Sequence, residues 1–231
     1  MATITVTNLQ GHTSGGDANK VKIASGQTLD VNGTLDVTGA TVTGNLPSAN
    51  LTGTLPAASF PSGTIIQTQV HQEDGATTFQ ASGTNPRLLL AANAADSTSH
   101  LSLSITPQFA TSKILLSANV YFEGDQAVQN YGWSFYRDST KLSAPSVGNR
   151  AAVIAMTRVG YGAGADQATT PDAATYFYYD SPNTTSAITY AVAFQNATSN
   201  AQIGLNRTIN DTNSSGNERG VSILIAQEIA Q

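Results

Sequence analysis

Cysteine is absent from the 231 residues, so neither a disulfide nor a thiolate metal site contributes, and any stapling of the structure falls to packing or to assembly. Charge is scarce too. Asp, Glu, Lys and Arg make up 11% of the chain, against about 25% in ordinary soluble domains. The net charge is −5, and no run of Lys or Arg exists that could neutralise a series of phosphates, which argues against nucleic acid as a partner. No stretch approaches the roughly 18 apolar residues of a membrane-spanning helix. The opening Met1-Ala2-Thr3-Ile4-Thr5-Val6-Thr7 lacks the basic and apolar regions of a signal peptide, so membrane insertion and secretion are not expected. No long window carries the i, i+3, i+4 spacing of an amphipathic helix, and little helix is expected.

What remains is hydrophobic at 40% and otherwise rich in Thr, Ser, Asn, Gln and Gly. Thr fits a pleated surface, and Gly, Asn and Ser supply turn geometry. The chain therefore reads as all-β.

Two unlike parts are visible. Residues 1–62 contain Phe60 as their only aromatic, while Trp133 and every Tyr lie further on. The first part repeats: Leu29-Asp30-Val31-Asn32-Gly33-Thr34 is followed by Leu35-Asp36-Val37-Thr38-Gly39-Ala40, and Val42-Thr43-Gly44 is a slipped copy. Leu46-Pro47-Ser48-Ala49 is then echoed by Leu55-Pro56-Ala57-Ala58, with Leu51 between. Leu29, Val31, Leu35, Val37, Val42, Leu46, Leu51, Leu55 and Phe60 form an apolar line too thin to make a core in one chain. Each side chain alone would forfeit most of the ~1.5–3 kcal/mol that full burial gives. Three copies wound about a common axis would bury the line, so residues 1–62 are expected to form a stem or arm ordered by oligomerisation.

Residues 63–231 read as short strands separated by turn clusters, the pattern of a jelly-roll-like antiparallel β-sandwich. Candidate strands are 64–71, 87–90, 101–105, 113–123, 131–137, 151–159, 174–180, 187–194, 202–205 and 221–229. Leu101-Ser102-Leu103-Ser104-Ile105 alternates as a half-buried strand does. Ile114-Leu115-Leu116 and Val153-Ile154-Ala155-Met156, apolar on successive residues, read as central strands or strands buried on both faces. Trp133 reads as core.

Catalytic machinery is not apparent. Ser, His and Asp occur without a nucleophile elbow. Gly160-Tyr161-Gly162-Ala163-Gly164-Ala165-Asp166 lacks the Lys and following helix of a phosphate-binding loop and reads as a surface loop, with Tyr161 a candidate recognition residue. Glu73, Asp74, Glu123, Asp125, Asp166 and Asp172 could supply paired carboxylates for glycoside hydrolysis, which depends on a separation of about 5–9.5 Å that sequence does not give. His12, His71 and His100 are far apart in the chain. Only His71 has acidic neighbours, in His71-Gln72-Glu73-Asp74, and a metal there would need ligands from elsewhere. The expectation is a solvated turn, no metal and no cofactor. Tyr176-Phe177-Tyr178-Tyr179 must face alternately in a strand. One pair is therefore surplus to the core, available for a neighbouring subunit or for stacking on sugar rings.

The opening Val6-Thr7-Asn8-Leu9-Gln10, the Leu-x-Val-x-Gly repeats and the Leu-Pro stretch ending at Phe60 resemble the N-terminal regions of tail-fibre-like proteins of bacteriophages infecting aquatic bacteria. Ile105-Thr106-Pro107, Ser112-Lys113-Ile114-Leu115, Phe135-Tyr136-Arg137-Asp138, Ile188-Thr189-Tyr190 and the closing Ser222-Ile223-Leu224-Ile225-Ala226-Gln227-Glu228-Ile229 resemble their fibre-tip domains. The resemblance carries over no catalytic residue. It implies a homotrimeric virion protein, made in the host cytoplasm, attached to other virion proteins through residues 1–62. Residues 124–130, 160–172 and 208–217 would then meet a host glycan or protein. A short stem bearing a jelly roll also suits a trimeric capsid decoration protein, and a polysaccharide-cleaving spike is a third reading.

Overall fold

The structure, a computed structural model, describes residues 59–81, 85–96, 100–125, 130–158, 169–197 and 201–231. The apolar line from Leu29 to Leu55, together with Tyr161, His12 and Asp166, lies outside them.

Among the described residues, twelve strands form two six-stranded antiparallel sheets. The first contains β1 (Ile65–Glu73), β2 (Thr77–Gln80), β5 (Lys113–Gly124), β9 (Asp172–Asp180), β11 (Gln202–Leu205) and β12 (Ser222–Ile229). The second contains β3 (Arg87–Leu88), β4 (Ser102–Ile105), β6 (Asn130–Arg137), β7 (Thr140–Leu142), β8 (Ala155–Arg158) and β10 (Ile188–Gln195).

The pairings are nested. β1 pairs with β12, β4 with β10, β5 with β9 and β6 with β8, which is one long hairpin rolled up on itself. The order across one sheet becomes β1–β12–β5–β9, and across the other β4–β10–β6–β8. This is the strand order of a jelly roll. β11 continues along the same edge of β5 beyond β12 and carries β2, while β3 and β7 extend the second sheet.

All ten candidate strands are present, with β2 and β7 in addition. Apart from short 3-10 segments at Ser59 and Ala91–Asn93, the described residues contain no helix. One expectation is corrected. Ile114-Leu115-Leu116 does sit in a central strand, between β12 and β9. Val153-Ile154-Ala155-Met156 does not: β8 begins only at Ala155, pairs with β6 alone, and exposes Met156. Val153 and Ile154 precede it, and Val153 lies over Gly132 of β6, where a Cβ would come within 2.6 Å of the valine methyl. Val153 thus covers Gly132, while Ile154 packs partly against the core.

The core follows from period-two alternation. β5 sends Ile114, Leu116, Ala118, Val120 and Phe122 inward, and β12 sends Leu224 and Ala226. From the other sheet come Tyr131, Trp133 and Phe135 of β6 and Tyr190, Val192 and Phe194 of β10. Trp133, fully buried as expected, meets Phe122 edge-on with ring centroids 4.7 Å apart, and Phe135 lies 4.6 Å from Tyr176. These contacts bind the two sheets through large apolar areas. Phe60, the last member of the apolar line, packs its ring against Phe109 at 5.9 Å.

Candidate functional site

Rolling up the hairpin places the 73–102, 124–130, 158–172 and 205–222 connections at one end of the sandwich. The pairings show this directly: Glu73 is opposite Ser222, Phe122 opposite Asp172, and Asn130 opposite Arg158. The three segments that the sequence nominates for recognition therefore share one end of the domain.

Glu123 holds them there. It breaks the alternation of β5 at the strand's end and is 1% exposed. Its Oε1 accepts the Thr170 backbone N–H at 3.0 Å, and its Oε2 accepts that of Ile209 at 2.7 Å. One buried carboxylate thus ties the bases of two recognition segments to the strand from which the third departs. Asp125, two residues on, accepts the Gln202 N–H at 2.6 Å and the Tyr131 hydroxyl at 3.3 Å. The tips at 126–129 and 159–168 lie outside the described residues. Asn206 adds a further tie. In the left-handed region at φ 57°, which asparagine tolerates, it donates to the carbonyls of Glu73 and Gly75 and accepts the Ser222 hydroxyl.

The 208–217 segment carries its own framework. Thr208 Oγ1 donates to the Asn210 carbonyl, and Arg207 donates to the carbonyls of Thr208 and Ile209. Asp211 pairs with both Arg207 and Arg219. Asn217 Nδ2 donates to the Thr212 carbonyl at 2.8 Å and to its hydroxyl at 2.6 Å. Thr212, Asn213 and Ser214 are left exposed on this frame, lining a shallow polar pocket with Asp211, Asn217 and Arg219. A preorganised polar surface of this kind suits a polar ligand, because little side-chain freedom is lost on binding.

The aromatic stretch of β9 divides as alternation requires. Tyr176 is buried and Tyr178 packs partly against the core, while Phe177 and Tyr179 point outward, 60% and 52% exposed. Register aligns Val70, Ile225, Ser117 and Phe177 in one row across the outer face, with Leu115 beside Tyr179 in the next. The outer face of the first sheet therefore carries an apolar stripe that ends in two exposed aromatics.

His71, Glu73 and His100 meet at the same end of the molecule, with one ligand-type atom from each lying within 4.8 Å of the others. His71 comes from β1, and His100 immediately precedes Leu101 and β4. The expectation of a solvated turn is corrected for Glu73, which is 8% exposed and accepts the backbone N–H groups of Gly75 at 2.7 Å and His100 at 2.8 Å. Sequence separation concealed His100 from this group.

The acids proposed as a hydrolytic pair have other engagements: both oxygens of Glu123 hold loop amides, and Glu73 holds two more. Asp172 Oδ1 accepts the N–H of Ala173.

No protein-family model matches the chain, and no curated protein matches it. Among solved structures it is similar to particles of infectious bursal disease virus. The Gx strain structure is 12% identical over 84% of this chain and 43% of that one, with a TM-score of 0.28. The T=1 particles derived from the virus are 10% identical over 87% and 44%, with a TM-score of 0.31. The chain spans less than half the length of either. Its jelly-roll assignment rests on its own strand order.

Proposed function

We propose that this chain is a non-enzymatic structural protein of a tailed-phage virion, a homotrimeric tail-fibre or receptor-binding subunit. In this reading residues 1–62 attach it to the particle, and the end of the sandwich gathered on Glu123 meets the host surface. The observation that carries the reading is the convergence of the nominated recognition segments at one end, their bases fixed by a single buried carboxylate. A rigid sandwich that presents variable polar loops at one end is a common arrangement for binding. The stripe ending in Phe177 and Tyr179 supplies a surface on which copies can pack.

Immunogold labelling of intact virions with antibody raised to residues 63–231 tests the assignment. Gold at the tail is expected. Gold spread over the head would make the chain a capsid decoration protein, and virions without label would overturn both readings.

A further inference from the structure

We propose that His71, Glu73 and His100 form a binding site for a divalent transition metal, with zinc the best fit. Two imidazoles and one carboxylate are the donor set that zinc, nickel and cobalt favour, whereas calcium and magnesium require oxygen ligands. The spacing is close to what such an ion needs. Ligand atoms about 2.0–2.1 Å from a tetrahedral zinc lie roughly 3.3 Å from one another. Here His71 Nε2 is 3.6 Å and His100 Nδ1 3.7 Å from the same oxygen, Glu73 Oε2. Both separations are too long for a hydrogen bond and short enough for one ion to bridge after small side-chain rotations.

The surroundings support the assignment. Glu73 is already oriented by the backbone N–H groups of Gly75 and His100, the kind of supporting contact that fixes metal-bound carboxylates. The two imidazole rings lie side by side, their centroids 4.7 Å apart and their planes inclined by 33°. Side-chain exposure rises from 9% at Glu73 to 26% at His71 and 41% at His100, which leaves an open path and a fourth position for water. His71 Nε2 also lies 3.2 Å from the His100 carbonyl oxygen. Metal binding requires that nitrogen to give up any proton it shares there and the ring to carry its proton on Nδ1.

A bound ion would join the end of β1 to the start of β4, and so one sheet to the other, beside the loop end of the domain. It would supply a cross-link that a chain without cysteine cannot otherwise have.

Calorimetric titration of zinc into the full chain, without an affinity tag and after chelator treatment, tests the site, with thermal unfolding followed in parallel. One zinc per chain and a rise in Tm are expected. His100→Ala, at a half-buried position, should weaken binding by at least about tenfold, as should His71→Ala, while both variants keep the metal-free Tm. His12→Ala removes the only other histidine of the chain and should leave binding unchanged. Absence of binding, or binding that survives both His71→Ala and His100→Ala, would overturn the proposal.

Discussion

At the scale of single residues, the buried glutamates Glu73, Glu123 and Glu228 are loop anchors. Glu228 is 0% exposed, yet its carboxylate accepts the backbone N–H groups of Gln108 and Phe109 and the Gln67 side-chain amide. It does for the connection between β4 and β5 what Glu123 does for the opposite end. Buried carboxylates are tolerated only with such partners. Glu123→Gln replaces an acceptor oxygen with a donor facing a backbone N–H and should cost about 1–3 kcal/mol in urea unfolding. It should also speed proteolysis within residues 159–172. Unchanged stability and cleavage would show that Glu123 does not hold those segments.

Tyr190 offers a pH test. Burial and the hydrogen bond its hydroxyl donates to Asp180 at 2.7 Å push its pKa far above the ordinary tyrosine value, and burial raises Tyr176 as well. The unfolded chain therefore loses these protons first. The stability they contribute is complete below about pH 10 and is lost as the pH climbs beyond it. Unfolding free energy should fall steeply above that pH, and Tyr190→Phe should make the fall shallower; an identical alkaline slope in the variant would contradict the assignment.

At the scale of elements, the closing strand shows what was legible and why. Alternation in residues 222–229 placed β12, but not the purpose of Ser222 and Glu228 on its inward face. The structure supplies it. Ser222 Oγ accepts the Tyr121 N–H and donates to Asn206, and Glu228 anchors a loop. Period-two patterning fixes which face a residue takes, whereas a polar residue's partner depends on connections far away in sequence. The same limit hid His100 from Glu73. Apolar runs misled in one place: residues 151–154 read as strand because they are apolar, though they precede β8, with Val153 lying over Gly132 of β6 and Ile154 packing partly against the core. Gly220 was likewise illegible. A Cβ there would sit 2.2 Å from the Tyr121 ring, so Gly220→Ala must displace that ring and should cost about 1–3 kcal/mol by thermal or urea unfolding. No loss of stability would show that the ring moves freely.

β9 divides its aromatics between core and surface, and in the proposed reading the surface pair would contribute to assembly. Phe177→Ser combined with Tyr179→Ser removes exposed apolar area without opening the core. Light scattering should report a lower oligomeric mass at equal concentration, with the far-ultraviolet circular dichroism spectrum preserved. Retention of the full oligomeric mass would place the subunit contacts elsewhere.

At the scale of the whole molecule, the nested pairing of strands converts distant segments into one surface. The sequence nominated residues 124–130, 160–172 and 208–217 individually, from composition and from resemblance. Their convergence is a property of the roll-up and could not be read from any one of them. The proposed subunit would assemble through the apolar stripe on the first sheet and recognise its target through the polar end that carries residues 208–217.

Binding of the full-length protein to host cells tests that account most directly, comparing the wild type with a variant in which Thr212, Asn213 and Ser214 are replaced by alanine. Saturable binding by the wild type, lost or strongly weakened in the variant at unchanged Tm and oligomeric mass, is the predicted result. Equal binding by both proteins, or none by the wild type to any susceptible host, would contradict a recognition role for this end of the jelly roll.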